Sequence, residues 1–157
     1  MLFSITVNAI EPNPDLKKET KKHWELGSGV YAVLPNRLPK LDENMVGISP
    51  IVVFPTGLAN PIQVEFLYAS ERDKNIYVLD TSYKLQVDTP FILGYLLFGP
   101  HFLYYKNPEI SREYLGFHLG FGAKVPCGKG FSVQMDMKLF FQERTVARFG
   151  GGFLVEM

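Results

Sequence analysis

The side chains best suited to chemistry are three histidines, His23, His101 and His118, a single cysteine, Cys127, and the serines and acids around His118. His118 with Ser132 is the first pairing to test, because a serine activated by an imidazole attacks esters and amides. If two strands meet across a tight turn over residues 126–130, His118 stands opposite Lys138 and diagonal to Asp136, while Ser132 stands opposite Lys124. Six residues of about 3.3 Å each then put Ser132 roughly 20 Å from His118. A nucleophile needs hydrogen-bond contact with its base, so the pair fails. His101 and Ser111 flank a loop, and His23 lies in a polar stretch. No catalytic residue is assigned. No His-x-Glu-x-His or Cys-x-x-Cys spacing occurs, so no metal site is assigned. Residues 150–152 are three glycines inside a strand-like pattern, not a phosphate loop between strand and helix, and no cofactor is implied. Cys127 sits in an expected turn and, as the one cysteine, forms no internal disulfide.

His118 belongs to a pattern. Over residues 114–125, Leu115, Phe117, Leu119, Phe121, Ala123 and Val125 alternate with Gly116, His118, Gly120, Gly122 and Lys124. Strict alternation reads as a strand. After a turn the pattern returns, with Phe131, Val133, Met135 and Met137 against Ser132, Gln134, Asp136 and Lys138. A last strand sets Ala147, Phe149, Gly151 and Phe153 against Arg148, Gly150, Gly152 and Leu154.

Alternation does not say which face is inside, but glycine does. Glycine weakens a strand by roughly 0.5 to 1 kcal/mol, so a water-facing surface has little use for it. In a small barrel, glycines on the inner face leave room for a few long polar side chains, and the bulky apolar residues then face lipid. Strands of about 9 to 11 residues span the hydrocarbon layer when tilted. The expected lipid-facing residues are Trp24, Leu115, Phe117, Leu119, Phe121, Val133, Met135, Met137, Phe149 and Phe153. The expected polar lumen network is Glu25, Glu65, Asp80, Lys84, His118, Lys124, Asp136, Lys138 and Arg148, and the two signs must pair because an unpaired buried charge costs several kcal/mol.

Residues 121–126, 130–140 and 149–157 resemble the closing strands of the small eight-stranded bacterial outer-membrane β-barrels of the OmpA and OmpX kind, with Met157 where those barrels typically have an aromatic residue. The resemblance implies an all-β, antiparallel, up-and-down transmembrane barrel of about eight strands in the bacterial outer membrane. Its partner is then outer-membrane lipid, and a monomer is expected. Some such barrels modify lipids with a histidine followed two residues later by a serine; here His118 is followed by Leu119 and Gly120. A lipid-modifying enzyme stays open as an alternative, as does a soluble lipocalin-like barrel for a lipophilic ligand. Nothing indicates a protein partner.

The 157 residues allow one domain, and equal numbers of acidic and basic residues without a basic face exclude nucleic acid as a partner. Residues 1–23 read as an N-terminal extension and 24–157 as the barrel. Residues 2–9 resemble the tail of a signal-peptide apolar region without its charged start, and 11–23 read as a solvated linker. Upstream strands are expected from Trp24, from Val46 to Phe54 with a bulge or distortion at Pro50, from Ile62 and from Ile76. The next, residues 91–105, is apolar on both faces; Gly94, Gly99 and Pro100 suggest a bulge that re-phases it.

Overall fold

Each alternating segment pairs with its neighbour in sequence and the last pairs with the first, closing an antiparallel up-and-down barrel. Its strands are β1 (Glu25–Pro35), β2 (Met45–Phe54), β3 (Ile62–Glu71), β4 (Lys74–Asp88), β5 (Leu93–Lys106), β6 (Ser111–Gly128), β7 (Phe131–Phe141) and β8 (Val146–Glu156). The computed structural model describes residues 23–35, 44–56, 60–88 and 92–157. The signal-like segment at 2–9, the linker up to residue 22 and the loops expected at 36–43, 57–59 and 89–91 lie outside these.

Burial alternates along every strand, as closure requires. The outward row of β6 is exposed from Leu115 to Phe121, and Val133, Met135, Phe149 and Phe153 are exposed on β7 and β8. Met137 is half-buried among them, and Trp24, just before β1, is exposed and packs its ring 5.7 Å from Phe54. Inside, the end of the lumen near the Arg72–Asp73 turn is filled by an apolar cap that includes Val33, Met45, Leu67, Leu103, Tyr105 and Phe140. A smaller cluster of Ile51, Val53 and Leu154 lies towards the other end. Charged and amide side chains occupy the space between.

Three local expectations are corrected. Pro50 makes no bulge: β2 stays in one register with both neighbours, and only the pairs that Ser49 and Pro50 would make with β3 are missing. The ring points outward, and its lack of an amide hydrogen interrupts the ladder without adding a residue. Nor is β5 re-phased, since its register against β6 is continuous from Leu93 to Lys106. Its polarity stops alternating because inward positions are themselves aromatic or aliphatic: Tyr95, Leu97 and Leu103 point into the lumen, and Leu96, Phe98 and Phe102 point out. The irregularity falls instead between Pro126 and Gly128, next to the Lys129–Gly130 turn, where Gly130 takes a φ of 72°. Because the turn lies at Lys129–Gly130 and not at the centre of residues 126–130, His118 stands opposite Phe140 rather than Lys138, Ser132 opposite Pro126 rather than Lys124, and Asp136 opposite Gly122, the shift at Pro126/Gly128 taking back only one residue of the displacement.

The seam between β8 and β1 is built on close backbone approach. Gly150 faces Tyr31 and Gly152 faces Gly29. A methyl group on Gly150 would come within 2.7 Å of the Tyr31 Cα and closer still to the Val30 carbonyl oxygen. Gly128 has nothing within 4 Å of such a methyl. Gly150→Ala is therefore expected to destabilise the barrel by about 1 to 3 kcal/mol through overpacking, with Gly128→Ala close to neutral. Urea unfolding followed by tryptophan fluorescence checks the contrast, since Trp24 is the chain's one tryptophan.

Candidate functional site: the charged lumen

The middle of the lumen is held by Arg148 of β8 and Lys138 of β7, both with no exposed side-chain surface. The Arg148 guanidinium contacts Glu65 of β3, lies 3.3 Å from Asp136 Oδ1 and 3.9 Å from Asp80 Oδ2, and covers the Tyr31 ring at 4.2 Å. Lys138 Nζ lies 2.6 Å from Asp80 Oδ1 and 3.4 Å from Glu65 Oε2, and donates to Ser82 Oγ at 3.0 Å. The Tyr31 hydroxyl donates to Asp136 at 3.3 Å. Carboxylates removed from water carry a large desolvation cost, which these shared cations offset.

Lys84 joins the cluster through an amide. Its Nζ donates to Gln63 Oε1 at 3.1 Å and sits 3.9 Å over the Tyr95 ring, while Gln63 Nε2 donates to Glu65. Lys124 and Glu25 form a separate pair, 12% and 10% exposed, towards the end of the lumen where β1 begins.

His118 is buried and its Nε2 lies 2.9 Å from Ser82 Oγ, with Asp80 Oδ1 at 3.9 Å. The sequence reading tested His118 against Ser132 and missed this partner, which comes from β4, two strands away. Gly99 of β5 pairs with His118, and the flanking pairs of β4 and β5 set Ser82 opposite the same glycine. With no side chain at Gly99, the two polar groups meet across it. An inward glycine between polar positions on both neighbouring strands is the signal that marks such a contact. His101, within the expected fifth strand, lies inside β5, buried, with a partner the sequence reading did not find: its Nε2 is 2.6 Å from Gln142 Oε1, and its ring 6.1 Å from that of His118.

Ser82, His118 and Asp80 are the residue types of a hydrolytic triad in a different arrangement. Ser82 Oγ is shared with Lys138 and Asp80, and His118 Nδ1, the nitrogen that an orienting carboxylate would hold, has no hydrogen-bond partner. Ser82 and His118 both have 0% exposure.

No protein-family model matches the sequence, and no curated protein matches it. Solved structures do resemble it. The attachment invasion locus protein Ail of Yersinia pestis superposes with a TM-score of 0.61 at 13% identity, over 87% of this chain and 97% of that one. The fold is that of the small eight-stranded outer-membrane β-barrels. OprG of Pseudomonas aeruginosa (TM-score 0.58, 9% identity, 87% of this chain and 96% of that one) and Neisserial surface protein A (0.57, 11%, 86% and 96%) share it.

Removing a partner from the central cluster strands buried charge, whereas the pair at the mouth reaches water. Lys138→Met is expected to cost about 3 to 5 kcal/mol, and Lys124→Met less, because its partner Glu25 keeps some side-chain surface in water. Urea titrations of the two variants beside the wild type measure the difference.

Proposed function

We propose that this chain is an integral outer-membrane β-barrel of a bacterial cell, monomeric, with a structural or surface-contact role and a lumen closed by its own side chains. The observation that carries this reading is the distribution of polarity across one closed sheet. Bulky apolar residues such as Leu115, Leu119, Phe121, Met135 and Phe149 stand exposed around the outside, while Glu65, Asp80, Lys84, Lys138 and Arg148 are buried within. In water this would expose an extensive apolar surface and bury charge for no gain; in lipid both choices are favourable. Rings gather near both ends of the outer face: Tyr68, Tyr77 and Tyr104 stack in sequence at one, and Trp24 with Phe54 and Phe131 with Phe153 at the other. Aromatic girdles at the two interfaces are what a membrane-spanning barrel needs. A related fold supports the same medium, since the backbone structure of Yersinia pestis Ail was obtained in a phospholipid bilayer nanodisc.

A soluble barrel carrying a lipophilic ligand would need the reverse, an apolar cavity inside and a polar surface outside. For lipid hydrolysis, Ser82 and His118 would have to reach substrate, and they are walled in. The proposed role therefore assigns no catalysis to this pair. The buried apolar cap and the paired charges support a lumen filled by side chains, in keeping with the interior of an eight-stranded barrel.

The protein is expected to sediment with outer membranes, require detergent for extraction, and migrate differently on denaturing gels before and after boiling. Leu119→Arg, at mid-strand, is expected to cost about 2 to 4 kcal/mol in lipid vesicles, and Val125→Arg, nearer the strand end, about 0 to 1 kcal/mol. Equal penalties, or a monodisperse protein without detergent, would remove the membrane reading. Steady large openings in planar bilayers would leave the barrel in the membrane but show an aqueous channel in place of a closed lumen.

A further inference from the structure

Two buried imidazoles lie where the apolar cap meets the charged cluster, and the paired charges do not require them. The rings of His101 and His118 are 6.1 Å apart, and both pack on Phe140, a member of the cap, at 4.9 and 5.6 Å. Each ring has one partnered nitrogen. His101 Nε2 meets Gln142 Oε1, an acceptor, so that nitrogen carries the hydrogen and Nδ1 is bare. His118 Nε2 meets Ser82 Oγ, and its Nδ1 also lacks a partner.

We propose that His101 and His118 form an acid-sensitive latch under the apolar cap, so that the barrel is held shut at neutral pH and loosens as the pH falls below that at which a free imidazole takes up a proton. An imidazolium donates from both nitrogens. In the folded lumen the second donor of either ring faces no acceptor, and an unsatisfied charged donor is costly to bury.

The surroundings do not make good the deficit. Asp80 of β4 is the carboxylate nearest His118, at 3.9 Å; its Oδ1 already receives Lys138 and Ser82, and its Oδ2, which has no hydrogen-bond partner, lies 3.9 Å from the Arg148 guanidinium. On the remaining sides the rings face Lys138 of β7 and Arg148 of β8, and the other central carboxylates, Glu65 of β3 and Asp136 of β7, are engaged by those same cations. The folded form thus accommodates neutral rings, whereas the opened form protonates near pH 6.5. Below that pH the opened form binds more protons, so stability falls as pH falls. The argument concerns the interior alone and holds whether the outer face meets lipid or detergent.

The test is the unfolding equilibrium in detergent micelles at pH 7.5, 6.5 and 5.5, for the wild type, His101→Gln, His118→Gln and the double variant. Glutamine keeps one polar partner at each site. Each ring should raise the wild-type unfolding constant about tenfold between pH 7.5 and 5.5, most of it below 6.5, hence about 100-fold for both. Each single variant should remove about one tenfold step and the double variant both; if the double variant does not fold, the single variants carry the comparison. Variants that keep the full wild-type pH dependence would overturn the proposal. So would imidazole NMR signals of the folded wild type that titrate normally near pH 6.5, because the latch requires both rings to stay neutral for as long as the barrel is closed.

Discussion

The structure depends on Arg148 being surrounded. Its guanidinium is fully buried and shared among Glu65, Asp136 and, at longer range, Asp80, with the Tyr31 ring beneath it. Those partners come from β3, β7, β4 and β1, so one side chain on β8 engages strands around most of the circumference. In a sheet closed on itself every strand is fixed only to its two neighbours by hydrogen bonds; contacts across the lumen are what set its cross-section. Lys138 repeats the arrangement from the adjacent strand, and the two cations together divide the three central carboxylates.

That centre explains the rest of the interior. A cluster of buried charges is tolerated only when water is kept from competing for it and each member is paired. The buried apolar cap lies towards one end, and Ile51, Val53 and Leu154 lie towards the other. The inner glycines follow from the same demand for space. Gly99 lets Ser82 and His118 meet, and a methyl on Gly120 or Gly122 would collide with Lys138 or Tyr95, both of which reach across the lumen. The alternation of glycine with large apolar residues in β6 is thus the imprint of long polar side chains on other strands.

The architecture was legible because its governing signal, period-two alternation, is local. Phe117, Leu119 and Phe121 set against His118, Gly120 and Gly122 reveal a strand and which face has room. Contacts between strands were less legible. The position of one turn, at Lys129–Gly130, set the whole pairing of β6 with β7, and with it the neighbours of His118 and Asp136. β5 was misread because alternation of polarity was taken for alternation of direction; where an inward residue is Leu97 or Leu103, the first fails while the second continues. Contacts across the lumen, such as Ser82 with His118, have no signature within either strand alone.

The glycine seam between β8 and β1 bears on how the molecule comes to be folded. The first strand finds one of its two partners only in the last, more than a hundred positions along the chain, as in Val30 with Gly151 and Tyr31 with Gly150. Until that junction forms, both outer strands are open edges, and the cations of β7 and β8 are not yet shared with β3 and β4. A partly assembled sheet therefore has neither a dry interior nor a satisfied one, and contacts of such long sequence separation form slowly. A half-barrel accordingly leaves two edges unpaired and its central charges unshared, which makes it an unfavourable resting point until β8 meets β1.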